Sequence, residues 1–132
     1  MSLPEAGEPG SAPAGRPARD LNPARDLIYG CMGLGGSWSP EPYSSAQVDE
    51  AAAAVDAALE AGITLFDHAD IYRGGKSEAV FGEVLASTPG LRERIRLQTK
   101  CGIRLNERGL ETYYDLSRDA ILARVNGSLD RL

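Results

Sequence analysis

The sequence predicts an α/β fold of parallel strands, on three observations. Short apolar runs alternate with amphipathic helical stretches, strand then helix, three times between Leu27 and Leu132. Each strand run gives way to a glycine-rich or polar loop, and each helical stretch follows a serine. Alternation of this kind calls for parallel strands joined by right-handed helical crossovers. It fits a doubly wound sheet or a β/α barrel, since strand order is not written in the pattern.

Residues 1–25 read as a disordered arm. Pro, Ala and Gly fill 13 of the 25 positions, too little apolar surface to offset the entropy of ordering. From Asp26 the texture changes. Leu27–Met32 is a short apolar run entering Gly33-Leu34-Gly35-Gly36, a buried strand followed by a loop. Pro40 and Pro42 keep the next stretch irregular. Ser44 with Gln47 three residues on forms a capping box. Val48, Ala52, Val55 and Leu59 then mark one helical face, and Gly62 closes the helix at the C′ position. Ile63–Asp67 is the second strand, running into a polar loop from His68 to Lys76. Ser77 is placed as the cap of a second helix, with Val80, Phe81, Val84 and Leu85 inward and Pro89-Gly90 at its end. Ile95–Lys100 is the third strand, Cys101–Leu116 a longer loop, and Ser117 the cap of a third helix. That helix carries Ile121, Leu122, Val125, Leu129 and Leu132 as its apolar set.

The 132 residues suggest one domain. Hydrophobic content of 42% and charged content of 25% are those of an ordinary globular chain. A net charge of −5 with no basic block argues against nucleic acid and against an anionic membrane surface. No apolar run approaches the roughly 18 residues needed to span a bilayer, and the start lacks the pattern of a secretory signal. Two cysteines make no disulfide framework, so a reducing, cytoplasmic setting is expected. Cys31 and Cys101 near the ends of the first and third strands would lie about 9–10 Å apart, beyond the roughly 7 Å a disulfide allows. Both are expected free. No metal site is expected.

The informative residues gather where strands end, which in β/α folds is where ligands bind. Asp67 closes the second strand, Tyr72 sits five residues on, and Lys100 closes the third. A free phenol, with a pKa near 10, exchanges protons poorly at neutral pH. A nearby ammonium favours the phenolate, which makes a tyrosine a workable general acid. A carboxylate beside the lysine would keep it charged and in place. This reading requires the Lys100 amine within about 8 Å of its partners, near the screening length of saline. The same residues also fit a plain alternative: an ion pair between adjacent strands and a packed loop tyrosine.

At these residues the chain resembles the aldo-keto reductase family. The likeness runs through Gly62-Ile-Thr-Leu-Phe-Asp67-His-Ala-Asp70-Ile-Tyr72, then Gly75-Lys-Ser77-Glu78, Gly82, and Leu97-Gln-Thr-Lys100-Cys-Gly102. It covers most of residues 27–132. The His-Ala-Asp form after Asp67 and Leu91-Arg-Glu-Arg94 resemble a bacterial branch of broadly described oxidoreductases.

The resemblance implies a partial (β/α)8 TIM barrel, about its first three β/α units. It further implies NADPH as hydride donor, NADP+ as its product, and a small-molecule carbonyl substrate. Carried across, Tyr72 resembles the proton donor, Lys100 the lysine that acidifies it, and Asp67 the aspartate paired with that lysine. Gly35, Gly36 and Ser37 match the first-strand loop near the nicotinamide, with Asp67 also near the cofactor. Trp38 is a candidate for the substrate wall or for simple packing.

The family's catalytic histidine follows a fourth strand, which this sequence does not reach. His68, the only histidine, does not match it and is either a neighbouring site residue or a packed one. Three units cannot close a barrel, and the first and third strands would each expose an edge. A complete barrel takes about 250 residues. The expectation is a chain inactive alone and unstable or self-associating. The competing function is a non-catalytic binding or regulatory fragment on the same scaffold, a use the family's potassium-channel β subunits illustrate. A Rossmann or flavodoxin-like domain is disfavoured because no Gly-x-Gly-x-x-Gly joins a strand to a helix.

Overall fold

Asn22 followed by Pro23 is a helix-initiating pair, an N-cap side chain and a proline that needs no N–H partner. The computed structural model describes residues 20–106 and 111–132. Pro23–Asp26 forms one helical turn, α1, with Asn22 Oδ1 accepting from the Ala24 amide at 3.1 Å. Arg96 Nη2 donates to the Ala24 carbonyl at 2.9 Å. Residues 20–25, expected within the disordered arm, are thus anchored to the third strand. The rest of that expectation, on residues 1–19, lies outside the described residues.

Three strands form one parallel sheet in the order β1 (Tyr29–Gly30), β2 (Leu65–Asp67), β3 (Arg96–Gln98). The register aligns Tyr29, Phe66 and Leu97, and then Gly30, Asp67 and Gln98 at the carboxyl ends. The first strand is shorter than the expected Leu27–Met32. Cys31–Gly33 turns away as a 3-10 turn, and the Cys31 carbonyl accepts from Leu34 N at 3.1 Å and Ser77 Oγ at 2.7 Å. Strand order 1-2-3 suits both the start of a barrel and one half of a doubly wound sheet.

The first crossover helix, α2 (Ser45–Glu60), begins as expected. The Gln47 carboxamide oxygen accepts from both the amide and the hydroxyl of Ser44 at 2.8 Å. It also ends as expected, on Gly62 at φ +81°. The Gly62 amide reaches the Leu59 carbonyl at 2.9 Å and the Ile63 amide that of Ala58 at 2.8 Å. This is the Schellman arrangement, which satisfies the last carbonyls without water. The fully buried stripe is Ala51, Val55 and Ala58, with Val48, Ala52 and Leu59 on its margins.

In the second crossover, α3 (Lys76–Ser87), the expected cap is displaced. Gly75 at φ +93° is the N-cap, and Ser77 lies inside the helix, fully buried. Its hydroxyl is spent on the Cys31 carbonyl across the core. Val80, Phe81 and Val84 are buried as expected. Beyond Gly90 a further turn, α4 (Leu91–Arg94), buries Leu91 and leads into β3. The expected Cys101–Leu116 loop contains an antiparallel hairpin, β4 (Ile103–Leu105) with β5 (Thr112–Tyr114). The alternation of Ile103 and Leu105 and the β-forming Thr112-Tyr113-Tyr114 were its signal. Ser117 caps α5 (Arg118–Arg131) as expected, its hydroxyl accepting from Ala120 N at 3.3 Å.

The core sits between the sheet and the helices. Phe66 of β2 contacts Tyr29 and Phe81 with ring centroids 5.6 and 5.3 Å apart. The third helix turns most of its apolar set outward. Ile121, Leu122, Val125 and Leu129 are exposed, Leu129 at 71%, and Ser128 is its only buried residue. α5 therefore docks through its polar face. Gly82 of α3 lies under the last turn of α5, where a Cβ would collide with the Arg131 carbonyl oxygen. No helix among the described residues is long and apolar enough to cross a membrane.

Candidate active site at the strand ends

Parallel pairing brings Asp67 and Gln98 side by side, and the chain beyond Gln98 carries Lys100 across to the end of β2. Gln98 Nε2 donates to Asp67 Oδ1 at 2.7 Å, and Lys100 Nζ donates to Asp67 Oδ2 at 2.9 Å. Lys100 Nζ also donates to the His68 carbonyl at 2.7 Å and lies 4.8 Å from the centroid of the Tyr72 ring. The three residues singled out in the sequence thus converge, and the 8 Å requirement is met.

The charges reinforce one another. Burial pushes the Asp67 carboxyl up, but hydrogen bonds from Gln98 and Lys100 and the lysine's charge outweigh it and leave the group below its usual range. Burial likewise weighs against the Lys100 ammonium, yet Asp67 and then Tyr72 hold it above its ordinary value. Both groups are ionised at neutral pH. The Lys100 side chain is 53% exposed, so water reaches the pair. A cavity of about 280 Å³ opens beside it, lined by Tyr72, Lys100, Cys101, Ile103 and Tyr114 among others. A second, of about 300 Å³, lies between the free edge of β3 and α5.

The loop after β1 is held against the turn that carries Tyr72. Gly35 (φ +87°) is buried with its α-carbon against the backbone of Lys76 and Ser77, where a Cβ would approach to 2.7 Å. Its requirement for glycine therefore comes from α3. Gly36 (φ +79°) faces the Gln47 side chain, and the exposed Ser37 hydroxyl shares a 2.7 Å hydrogen bond with Ser39. Trp38 is 48% exposed and has the Arg73 guanidinium 5.2 Å above its ring.

His68 is a packed residue. It is fully buried, edge-on to Phe81 at 4.6 Å, with Nδ1 3.4 Å from Ser77 Oγ. Burial pushes its pKa down to about 4, against the pull of Glu78 and Asp67, so the ring is neutral. Both cysteines are free thiols, as expected. Among the described residues no three His, Cys, Asp or Glu side chains converge in a way that could hold a metal.

Sequence reasoning gave Glu78 no role, yet it organises the back of the site. Its buried carboxylate accepts from Thr99 Oγ1 at 2.6 Å, Ser128 Oγ at 2.9 Å and Arg131 Nε at 2.8 Å, with Arg131 Nη2 at 2.7 Å. Asp70, whose side chain is also buried, pairs with Arg124 Nε at 3.3 Å. Thr99 directly precedes Lys100, so the carboxylate fixes the strand end that presents the lysine. The available signal was an acidic residue opening the apolar run Ala79-Val80-Phe81; buried charges of this kind require partners.

A parallel β/α array thus brings an aspartate, a tyrosine and a lysine together at its strand ends. The model of the aldo/keto reductase family matches residues 26–132, and the chain belongs to that family. It is 44% identical over 119 residues to the Bacillus subtilis uncharacterized oxidoreductase YcsN, a match covering 87% of this chain and 37% of the relative. The holo form of an aldo-keto reductase from Bacillus halodurans, AKR11C1, superposes with a TM-score of 0.62 at 34% identity, over 80% of this chain and 31% of that one. An aldo-keto reductase from Klebsiella pneumoniae in complex with NADPH shares the fold (TM-score 0.54, 23% identity, 84% of this chain and 34% of that one). These likenesses decide between the two sheet types: the three units are part of a (β/α)8 barrel. The chain spans about a third of the length of the relatives it matches.

Proposed function

We propose that this chain carries the proton-transfer half of an NADPH-dependent carbonyl reductase active site, acting on small aldehydes or ketones. The observation that carries the reading is Lys100 Nζ, held 2.9 Å from Asp67 and 4.8 Å from the centre of the Tyr72 ring. Bound NADPH would supply the hydride, and the Klebsiella pneumoniae complex is the precedent within the fold. The proton transfer falls to residues of this chain. Tyr72 gives its hydroxyl proton to the carbonyl oxygen as that oxygen gains charge. The Lys100 ammonium stabilises the phenolate left behind, and Asp67 keeps the ammonium charged and aimed. Gly36 and Ser37, on the outward part of the first-strand loop, would meet the nicotinamide end, with Gly35 fixing the loop's path from behind. Trp38 would form a wall of the substrate site.

The polypeptide by itself is proposed to be inactive. At 53% exposure Lys100 works in water, where a charge has far less effect than in a closed site. His68 is sequestered and neutral, so it cannot assist the carbonyl. The two free thiols fit a reducing, cytoplasmic setting.

The test is a chimera in which residues 26–132 replace the matching segment of the Bacillus subtilis relative. It should oxidise NADPH in the presence of an aldehyde panel, and Tyr72→Phe should cost about 10²–10⁴-fold in kcat, the usual worth of a positioned acid. The 132-residue chain alone should show no turnover. A Tyr72→Phe chimera as fast as its parent would remove the proposal.

A further inference from the structure

Tyr72 is followed by three residues in left-handed backbone: Arg73 (φ 54°, ψ 33°), Gly74 (φ 68°) and Gly75 (φ 93°). The two glycines adopt this region freely. Arg73, the only non-glycine residue with positive φ among the described ones, resists it through its Cβ. Glycine would suit the backbone at position 73 better, so the arginine side chain must contribute something that glycine would forfeit.

Among the described residues its side chain makes one hydrogen bond and one cation–π contact, both to the loop after β1. Arg73 Nε donates to the Met32 carbonyl at 3.0 Å, and the guanidinium lies 5.2 Å from the centre of the Trp38 ring. Two neighbouring residues, Lys76 and Ser77, fasten the same loop elsewhere. Ser77 Oγ binds the Cys31 carbonyl, Lys76 Nζ binds the carbonyls of Ser39 and Glu41 at 2.9 Å, and Gly35 lies against the backbone of Lys76 and Ser77. These hold the loop's backbone. Arg73 instead places its charge over the indole, which is half in solvent.

We infer that Arg73 is the positioning residue for Trp38: its guanidinium, bridging the Met32 carbonyl and the indole face, fixes the ring on the loop after β1. A planar cation suits the face of an indole, and the Nε hydrogen bond sets the guanidinium's place over it. That the ring so fixed is a wall of a substrate site rests on the function proposed above. On that basis Arg73 is a determinant of which carbonyl compounds the site admits.

Trp38 is the only tryptophan in the sequence, so its fluorescence reports this contact directly in the 132-residue chain. Arg73→Gly relieves the backbone and removes the guanidinium. Since the residue is 48% exposed, full release raises its collisional quenching by acrylamide at most about twofold, and a rise approaching that limit is expected. Arg73→Lys, which keeps a cation above the ring, should restore most of the protection. Lys76→Ala, which frees loop backbone but leaves the stack, should raise quenching less than Arg73→Gly. Quenching unchanged in Arg73→Gly, or raised equally by Lys76→Ala, overturns the assignment. In the chimera, Arg73→Gly should raise KM for aldehydes by a larger factor than it lowers kcat; equal losses in the two would overturn the wall role. An inactive parent chimera counts against the reductase reading and leaves the fluorescence result standing.

Discussion

Replacing Glu78 by alanine should unfold a large part of this chain's stability margin. The carboxylate is fully buried, accepts from Thr99 Oγ1, Ser128 Oγ and Arg131 Nε, and is ion-paired with Arg131 Nη2. Alanine leaves the hydroxyls without their acceptor and the Arg131 cation without its counterion. Removing one partner of a buried ion pair costs about 3–5 kcal/mol. The Arg131 side chain is 28% exposed, which recovers some hydration and places the expectation at the lower end, about 3 kcal/mol. Domains of this size have about 5–15 kcal/mol in total. With a urea slope of about 2 kcal/mol per molar, the midpoint should fall by about 1.5 M. Urea titration followed by circular dichroism and Trp38 emission measures it. Ser128→Ala, losing one hydrogen bond to a charged acceptor, should cost about 1.5 kcal/mol. The double variant Glu78→Ala with Arg131→Met should recover at least about 1 kcal/mol, because no unpaired charge remains. A midpoint shift under about 0.5 M in Glu78→Ala, on the same slope, would refute the role given to this carboxylate.

His68 should make stability rise with pH in the acidic range. Its folded pKa is about 4 against about 6.5 unfolded, so between those values the unfolded chain holds more protons, and acidification through that window costs about 3 kcal/mol. Urea midpoints at pH 7 and pH 4.5 should differ more for the parent than for His68→Gln; equal differences would contradict this. Burial, with the Asp67 charge adding to it, pushes the Cys31 thiol up to about 12, while Cys101 is half-buried. A disulfide-exchange reagent should therefore titrate Cys101 promptly in the native chain and both thiols in urea, and prompt reaction of both in the native chain would be inconsistent with the buried position. The outward residues of α5 and the free edge of β3 should make the chain self-associate. Val125→Lys with Leu129→Lys should shift sedimentation towards monomer, and an unchanged distribution would place the association elsewhere.

The parts legible in the sequence are those set by local chemistry. Ser44, Gln47 and Gly62 bound α2 because caps act within a few residues. Asp67, Tyr72 and Lys100 could be grouped because parallel pairing puts consecutive strand ends at one mouth. What was misread depended on distant partners. Ser77 resembles a cap in sequence, but the Cys31 carbonyl 46 positions away claims its hydroxyl. The apolar set of α5 was read without a direction, and the helix turns Ser128, Arg124 and Arg131 inward because Glu78 and Asp70 are buried there and need partners. The first strand is short because the chain turns away at Cys31–Gly33, where the Cys31 carbonyl bonds Leu34 and Ser77. The hairpin after Cys101 was hidden by its three-residue strands.

Grease tolerates a few degrees of roll between two helices; donors converging on one buried carboxylate do not. Because α5 is pinned in that way, its hydrocarbon stripe leaves the molecule at a set azimuth, flanking the bare rim of β3. The rim and the stripe together form a directional seat, with main-chain partners on one side and a bed for side chains on the other.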